Sequence, residues 1–176
     1  RPALKVRKNG AYEATTYGEV YERVRAVGTG LQSLGIGPGE KVGIISDNRP
    51  EWLLCDLGCV CIGAAAVPRG SESTAQEIDY ILSHSDAVAS FVEDAGQLEK
   101  VLSLRTRLPS LRFLVVMDPG YDGPAPEGVY RLEEIEEKGR ELLQGGDKGF
   151  EEALIDIKAT DLATLIYTSG TTGEPK

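Results

Sequence analysis

Histidine, tryptophan and methionine each occur once in these 176 residues, and cysteine three times. The lone histidine, His84, lies between Ser83 and Ser85 with no paired acid or nucleophile evident nearby in sequence, so capping or solvent exposure is expected of it rather than catalysis. Cys55, Cys59 and Cys61 match neither a zinc ribbon nor a Cys-x-x-Cys redox pair. Positions 55 and 59 share a helix face, which favours buried thiols over a metal site. Free thiols and the absence of a signal peptide point to the cytosol. Basic residues are scarce as well: 19 stand against 28 acidic ones, for a net charge of −9 with no basic stripe. That balance weighs against a nucleic-acid partner, because binding a phosphate backbone needs clustered Lys and Arg.

Long hydrophobic runs are also missing. The most apolar stretch, Trp52 to Val67, has sixteen residues interrupted by Asp56, Gly58 and Gly63, whereas a membrane span needs about 20 mainly apolar residues. It reads as a buried crossover helix running into a strand, with Trp52 as a core anchor. Two nucleotide motifs are absent. Gly170 and Gly173 are separated by two residues, and Glu174-Pro175 intervene before Lys176, which is not the Walker A spacing. The Gly-x-Gly-x-x-Gly fingerprint is lacking there too, which disfavours a hydride-transfer enzyme. No internal repeat or low-complexity tract stands out.

What is present alternates between strand and helix. Residues 3–7 and 11–15 flank Lys8-Asn9-Gly10, and Asn-Gly is a strong hairpin signal. Thr16 and Glu19 stand at capping-box spacing and open a helix whose expected buried face is Tyr17, Val20, Tyr21, Val24, Leu31 and Leu34. Gly35 ends it, and Gly37-Pro38-Gly39 turns the chain into a strand over 42–46. Asn48 is expected to cap the next helix, with Pro50 in its first turn. Asp47-Asn48 lies just past a strand end, where ligands gather, but capping already accounts for it. Gly63 closes that helix, and 64–67 form a strand stopped by Pro68. Ser73 or Thr74 caps a helix to about 83, 87–92 is a strand, 95–107 a helix, and 113–117 another buried strand. The segment 118–128 carries three prolines and three glycines and reads as a surface loop. Residues 132–143 are helical, with Glu133, Glu134, Glu136 and Glu137 on a solvated face, and 149–158 form a short helix. The pattern implies one α/β domain: a layered α/β/α arrangement with a mostly parallel sheet covered on both faces, right-handed crossovers and an amino-terminal β-hairpin.

The last nine residues, Thr168-Ser169-Gly170-Thr171-Thr172-Gly173-Glu174-Pro175-Lys176, follow the apolar run 162–167, which reads as a buried strand. A strand emptying into hydroxyls, glycines and one lysine suits an oligophosphate. Glycines let backbone N–H groups face an anion, hydroxyls add donors, and lysine brings charge. A plain connecting loop is the ordinary reading of such a cluster. Against it stand the closing lysine and the apolar strand before it, since ligands gather at the carboxyl ends of parallel strands.

Tyr167 to Lys176 resembles the phosphate-binding signature of the AMP-forming, adenylate-forming enzymes, and the lead-in 161–166 is similar to the long-chain fatty-acid–CoA ligase branch. The whole chain resembles the amino-terminal part of the large domain of these enzymes, with Ile45–Trp52 and Gly63–Pro68 as landmarks. Arg69-Gly70 departs from the aliphatic residue many relatives carry after Val-Pro. The resemblance implies that 1–176 is the amino-terminal portion of an AMP-binding domain ending at the loop 168–176, with the rest of the domain outside it. It begins without methionine, and a piece of a longer protein is expected. The implied reaction joins a fatty acid to AMP from Mg-ATP and then to coenzyme A. Thr168, Ser169, Gly170, Thr171, Thr172, Gly173 and Lys176 would hold the ATP phosphates. Catalytic residues and the magnesium ligand are expected outside this chain, which alone would be inactive. Membrane contact and homodimerisation stay open. So do an aryl- or amino-acid-activating enzyme and a non-catalytic module binding a phosphorylated ligand.

Overall fold

The structure is a computed structural model describing residues 1–8 and 10–168. Strands β1 (Pro2–Lys8) and β2 (Ala11–Thr16) pair antiparallel with Lys8 opposite Ala11. There follow α1 (Tyr17–Ser33), β3 (Lys41–Ile45), α2 (Pro50–Val60), β4 (Ala65–Arg69), α3 (Ala75–His84), β5 (Ala89–Val92) and α4 (Ala95–Leu102). A single 3-10 turn at Arg105–Arg107 leads to β6 (Phe113–Val116), β7 (Val129–Arg131), α5 (Leu132–Gln144) and α6 (Gly149–Asp156). The second sheet is wholly parallel, in the order β4-β3-β5-β6-β7.

Strand side chains alternate between two cores, so both faces of the sheet are apolar, as a crossover-covered parallel sheet requires. Val42, Ile44, Phe91, Phe113 and Val115 face one core, shared with α1, α2, α5 and α6. Ile45, Val92, Leu114 and Val116 face the other, filled by Ile78 and Leu82 of α3 and Leu98 and Val101 of α4. Gly43 points to this second side, where a Cβ would lie 2.6 Å from Leu82 and from Ser90 Oγ.

Helix starts follow local chemistry. Thr16 Oγ1 accepts the Glu19 N–H at 3.3 Å, while the Glu19 carboxylate accepts the Thr16 N–H at 2.7 Å. Thr74 and Glu77 repeat this capping box at α3. Asn48, expected to cap α2, does not. The N-cap is Arg49, extended at φ −150° and ψ 164° with no side-chain cap bond. Pro50 decides this, because it occupies the first helical position and its ring forces the residue before it out of the helical region.

Other expectations are corrected as well. Tyr17 and Tyr21 are 64% and 47% exposed, so the buried face of α1 is centred on Val20, Val24, Val27 and Leu31 instead. Glu136 is buried, unlike its acidic neighbours: Arg23 donates to it through Nη2 at 2.6 Å and Arg140 through Nη1 at 3.1 Å. The helix expected over 95–107 stops at Leu102, and 105–107 form the 3-10 turn instead. Pro68 does not end β4. The 65, 67 and 69 peptides face β3, as Arg69 C=O accepting from Ser46 N–H shows, while Ala66 bonds outward to 163 and 165. Position 68 shares the outward phase, so its missing N–H costs no bond to β3.

The run 162–167, expected to be buried, lies at the outer edge of the sheet. Among the described residues its ladder contact is a parallel bridge between Ala66 and Thr164, and Leu162 and Ile166 are 48% and 69% exposed. Among the described residues one flank alone is paired, which is why an apolar composition does not translate into burial here.

Candidate functional site

The carboxyl ends of β3 and β4 and the residues 166–167 enclose a cleft of about 330 Å³ lined by Ser46, Asp47, Asn48, Trp52, Arg69 and Tyr167, among others. That is the low end of the roughly 300–1,000 Å³ typical of small-molecule pockets, so it has room for part of a nucleotide and not a whole one. Trp52 is half-buried, packing on the core while also facing the cleft.

The rim is tied in place by bonds between distant segments. Ser71 N–H donates to Asp47 Oδ1 at 3.2 Å, and Asp47 N–H donates to Glu93 Oε2 at 2.7 Å. Gln97 and Lys100 of α4 donate to the carbonyl of Ser71 at 3.0 and 3.3 Å. Asp47 therefore fastens the β4–α3 loop to β5. Arg49 sits among carboxylates: its Nε donates to Glu51 at 2.8 Å, and Glu93 and Asp118 lie 3.8 and 3.9 Å away. Burial alone would lower the Arg49 guanidinium, but Glu51 and then Glu93 and Asp118 hold it above its ordinary value. Carboxylates outnumber guanidiniums at this end of the sheet, so an anionic ligand needs further positive charge supplied to it.

Arg69 spans the mouth. It donates through Nε to Ser73 Oγ at 2.9 Å, through Nη2 to Glu77 at 3.1 Å and through Nη1 to the Tyr167 carbonyl at 3.5 Å. The Tyr167 ring runs along α3, edge-on to Tyr80 with centroids 6.3 Å apart, and its hydroxyl lies 2.8 Å from His84 Nδ1. His84 stacks on Tyr80 at 5.4 Å. Burial, then the Tyr80 hydroxyl, push the Tyr167 phenol above its ordinary value. It thus keeps its proton at neutral pH, and its hydroxyl shares one hydrogen bond with His84 Nδ1.

Of the residues expected to hold phosphates, Thr168 is exposed and follows directly from this clamped tyrosine. Ser169, Gly170, Thr171, Thr172, Gly173 and Lys176 lie outside the described residues. Among the described residues no group of three or more His, Cys, Asp or Glu side chains is arranged to hold a metal ion, and magnesium is assigned no place on them. Nor, among them, is any helix long and apolar enough to cross a membrane.

The profile of the AMP-binding enzyme family matches residues 1–176 in full. The chain belongs to the AMP-binding enzyme family. Among curated relatives, it is 33% identical over 168 residues to the long-chain-fatty-acid–CoA ligase FadD15 of Mycobacterium tuberculosis, covering 96% of this chain and 26% of that one. It is 33% identical over 170 residues to the chloroplastic long-chain-fatty-acid–[acyl-carrier-protein] ligase AEE15 of Arabidopsis thaliana, covering 92% and 23%. The chain thus spans about a quarter of the length of these relatives. The crystal structure of the anthranilate CoA ligase AuaEII in complex with anthranoyl-AMP superposes with a TM-score of 0.71 at 27% identity, over 93% of this chain and 29% of that one. The mostly parallel α/β architecture with its amino-terminal hairpin is therefore that of the start of an adenylation domain.

The cysteines of this family member are free. Cys55 and Cys59 are wholly buried and Cys61 half-buried, and burial raises all three thiols. The exposure expected of His84 is found, but its bond to Tyr167 was invisible in sequence. Eighty-three positions separate the two residues, and only the parallel placement of 163–165 beside β4 brings them together.

Proposed function

We propose that residues 1–176 are the amino-terminal portion of the adenylation domain of an ATP-dependent, AMP-forming long-chain fatty-acid–CoA ligase, ending at the phosphate-binding segment 168–176. In this reading a fatty-acid carboxylate displaces pyrophosphate from the α-phosphate of ATP, and the thiol of coenzyme A then displaces AMP from the acyl adenylate. The part of this chain in the first step is positioning. Backbone N–H groups and hydroxyls of the segment hold the β- and γ-phosphates, Gly170 and Gly173 allow close approach, and Lys176 offsets the leaving charge. The observation that carries the proposal is the emergence of Thr168 at the carboxyl end of the sheet, beside a cleft. There carboxylates exceed cations, so an added lysine has electrostatic work to do. Long-chain acids are named because the relatives cited above carry that substrate in their names. The free, buried thiols fit a cytoplasmic setting.

The test is ATP–pyrophosphate exchange by the full-length protein over a panel of carboxylic acids. Long-chain fatty acids should drive exchange, and Lys176→Ala should lower it at least tenfold. No response to long-chain acids overturns the substrate assignment. Unchanged exchange in Lys176→Ala overturns the role given to that lysine, and no exchange with any acid favours a module that binds a phosphorylated ligand without chemistry. An aryl acid is the second reading, favoured by the likeness to a ligase of anthranilate, and the same panel separates the two.

A further inference from the structure

The segment assigned to phosphate binding begins at Thr168, and the residue just before it is held at three points by side chains to which that assignment gives no role. Arg69 Nη1 donates to the backbone carbonyl of Tyr167, Tyr80 packs at right angles to its ring, and His84 Nδ1 shares a hydrogen bond with its hydroxyl. The clamp is itself braced. Arg69 is fixed to Ser73 and Glu77 at the first turn of α3, and the ring of His84 at the last turn lies on Tyr80. Pairing to the sheet, by contrast, is sparse here: Ala66 N–H donates to Ala163 C=O and Leu165 N–H to Ala66 C=O, and among the described residues no ladder bond follows 165. Side chains replace the ladder in setting where Tyr167 stands.

We propose that Arg69, Tyr80 and His84 form a clamp on Tyr167 that fixes the origin of the phosphate-binding segment, making Tyr167 and His84 positioning residues for the triphosphate of ATP. This rests on the functional reading above. A hydroxyl or backbone donor misplaced by about 1 Å loses much of its effect on a transferring group, and one residue after the clamp stands Thr168, the first of the donors. His84 never touches nucleotide. It acts by holding the phenol, which pivots the peptide bearing Thr168. The shared bond couples two residues, so removing either partner has the same consequence, and removing both adds little.

The experiment uses the full-length protein with His84→Ala, Tyr167→Phe, the double variant, and His84→Asn, whose amide can accept from the phenol. Pyrophosphate exchange gives KM for ATP and for the acid separately, and amide hydrogen exchange of peptides containing 164–168 reports the clamp without any turnover. Each single variant should raise KM for ATP about three- to tenfold, the equivalent of one hydrogen bond, and leave KM for the acid unchanged. The double variant should match the worse single one, and His84→Asn should return to within about twofold of the parent. Exchange at 164–168 should quicken in His84→Ala and Tyr167→Phe alike. The inference is overturned by multiplicative effects in the double variant, by a lowered melting temperature with an unaltered KM for ATP, or by unchanged amide exchange. If the parent shows no pyrophosphate exchange with any acid, the functional reading fails, and amide exchange alone still decides whether the clamp exists.

Discussion

Gly139→Ala sets two effects of known sign against each other. Alanine favours a helix over glycine by about 1 kcal/mol, and Gly139 lies within α5, so propensity alone predicts stabilisation. Packing predicts the reverse. A Cβ on Gly139 would overlap the carbonyl oxygen of Ala26 in α1 and approach its carbonyl carbon to 2.7 Å. The opposing atoms are backbone, which cannot rotate aside as a side chain can, so the helices must separate. Gly30 makes the reciprocal contact from α1 onto the carbonyl of Ile135. Overpacking costs about 1–3 kcal/mol, occasionally more, and the rigidity of the obstacle argues for the upper end. After the propensity gain, a net loss of about 1–2 kcal/mol remains, equal to a fall of about 2–8 °C in melting temperature for a chain of this size. Urea unfolding should show a lower midpoint with an unchanged slope. Adding Gly30→Ala should cost less than the sum, since one separation relieves both clashes. Gly18→Ala is the control: its nearest neighbour would be Thr16 Oγ1 at 4.0 Å, and it should be neutral or slightly stabilising. No residue of α5 lines the cleft, so KM for ATP should not move. A Gly139→Ala protein more stable than the parent would refute the backbone-contact argument.

Thr74→Ala should cost about 1 kcal/mol, and the part that comes from the hydroxyl's bond to the Glu77 carboxylate should disappear in acid. The Thr74 backbone N–H, then its hydroxyl, hold the Glu77 carboxyl below its ordinary value. The group therefore stabilises the fold above the usual carboxylate range, about 4.3, and loses that contribution as pH falls through its depressed folded value. Unfolding curves of parent and variant measured from pH 7 downward should draw closer without meeting, since Thr74 Oγ1 accepts the Glu77 N–H in acid as well, and a gap that does not change with pH would count against the bond between hydroxyl and carboxylate. With a thiol reagent, Cys61 should react slowly and Cys55 and Cys59 only on unfolding, giving three equivalents in denaturant. Rapid native labelling of Cys55 or Cys59 would show that their helix opens.

What could be read in advance was local. The Thr16–Glu19 and Thr74–Glu77 boxes and the Asn-Gly hairpin announce their elements within four residues, and the strand–helix alternation forces the parallel sheet. What escaped depended on neighbours far along the chain. Glu136 is indistinguishable from Glu133, Glu134 and Glu137 until α1 brings Arg23 to it. Strand β7 has three residues, Val129-Tyr130-Arg131, behind a proline- and glycine-rich loop, too few to show a period. Tyr17 and Tyr21 fit the apolar stripe of α1 by spacing, yet the helices that bury this stripe cover only its other flank. The clamp at Tyr167 combines residues from β4, α3 and the edge segment, and no window of sequence contains them together.

Pro68 has one more effect. On the free side of β4, Ala66 exchanges two bonds with its outer neighbour, and the next peptide able to reach for Leu165 C=O is the one that proline has stripped of its hydrogen. The zipper between the two strands must run out at that tooth. An imino acid placed two residues beyond the last pairing partner thus works as a stop, releasing the backbone from the sheet where it has to swing toward the cleft. Restoring an amide at 68 would let the zipper close one step further and draw Tyr167 off its perch.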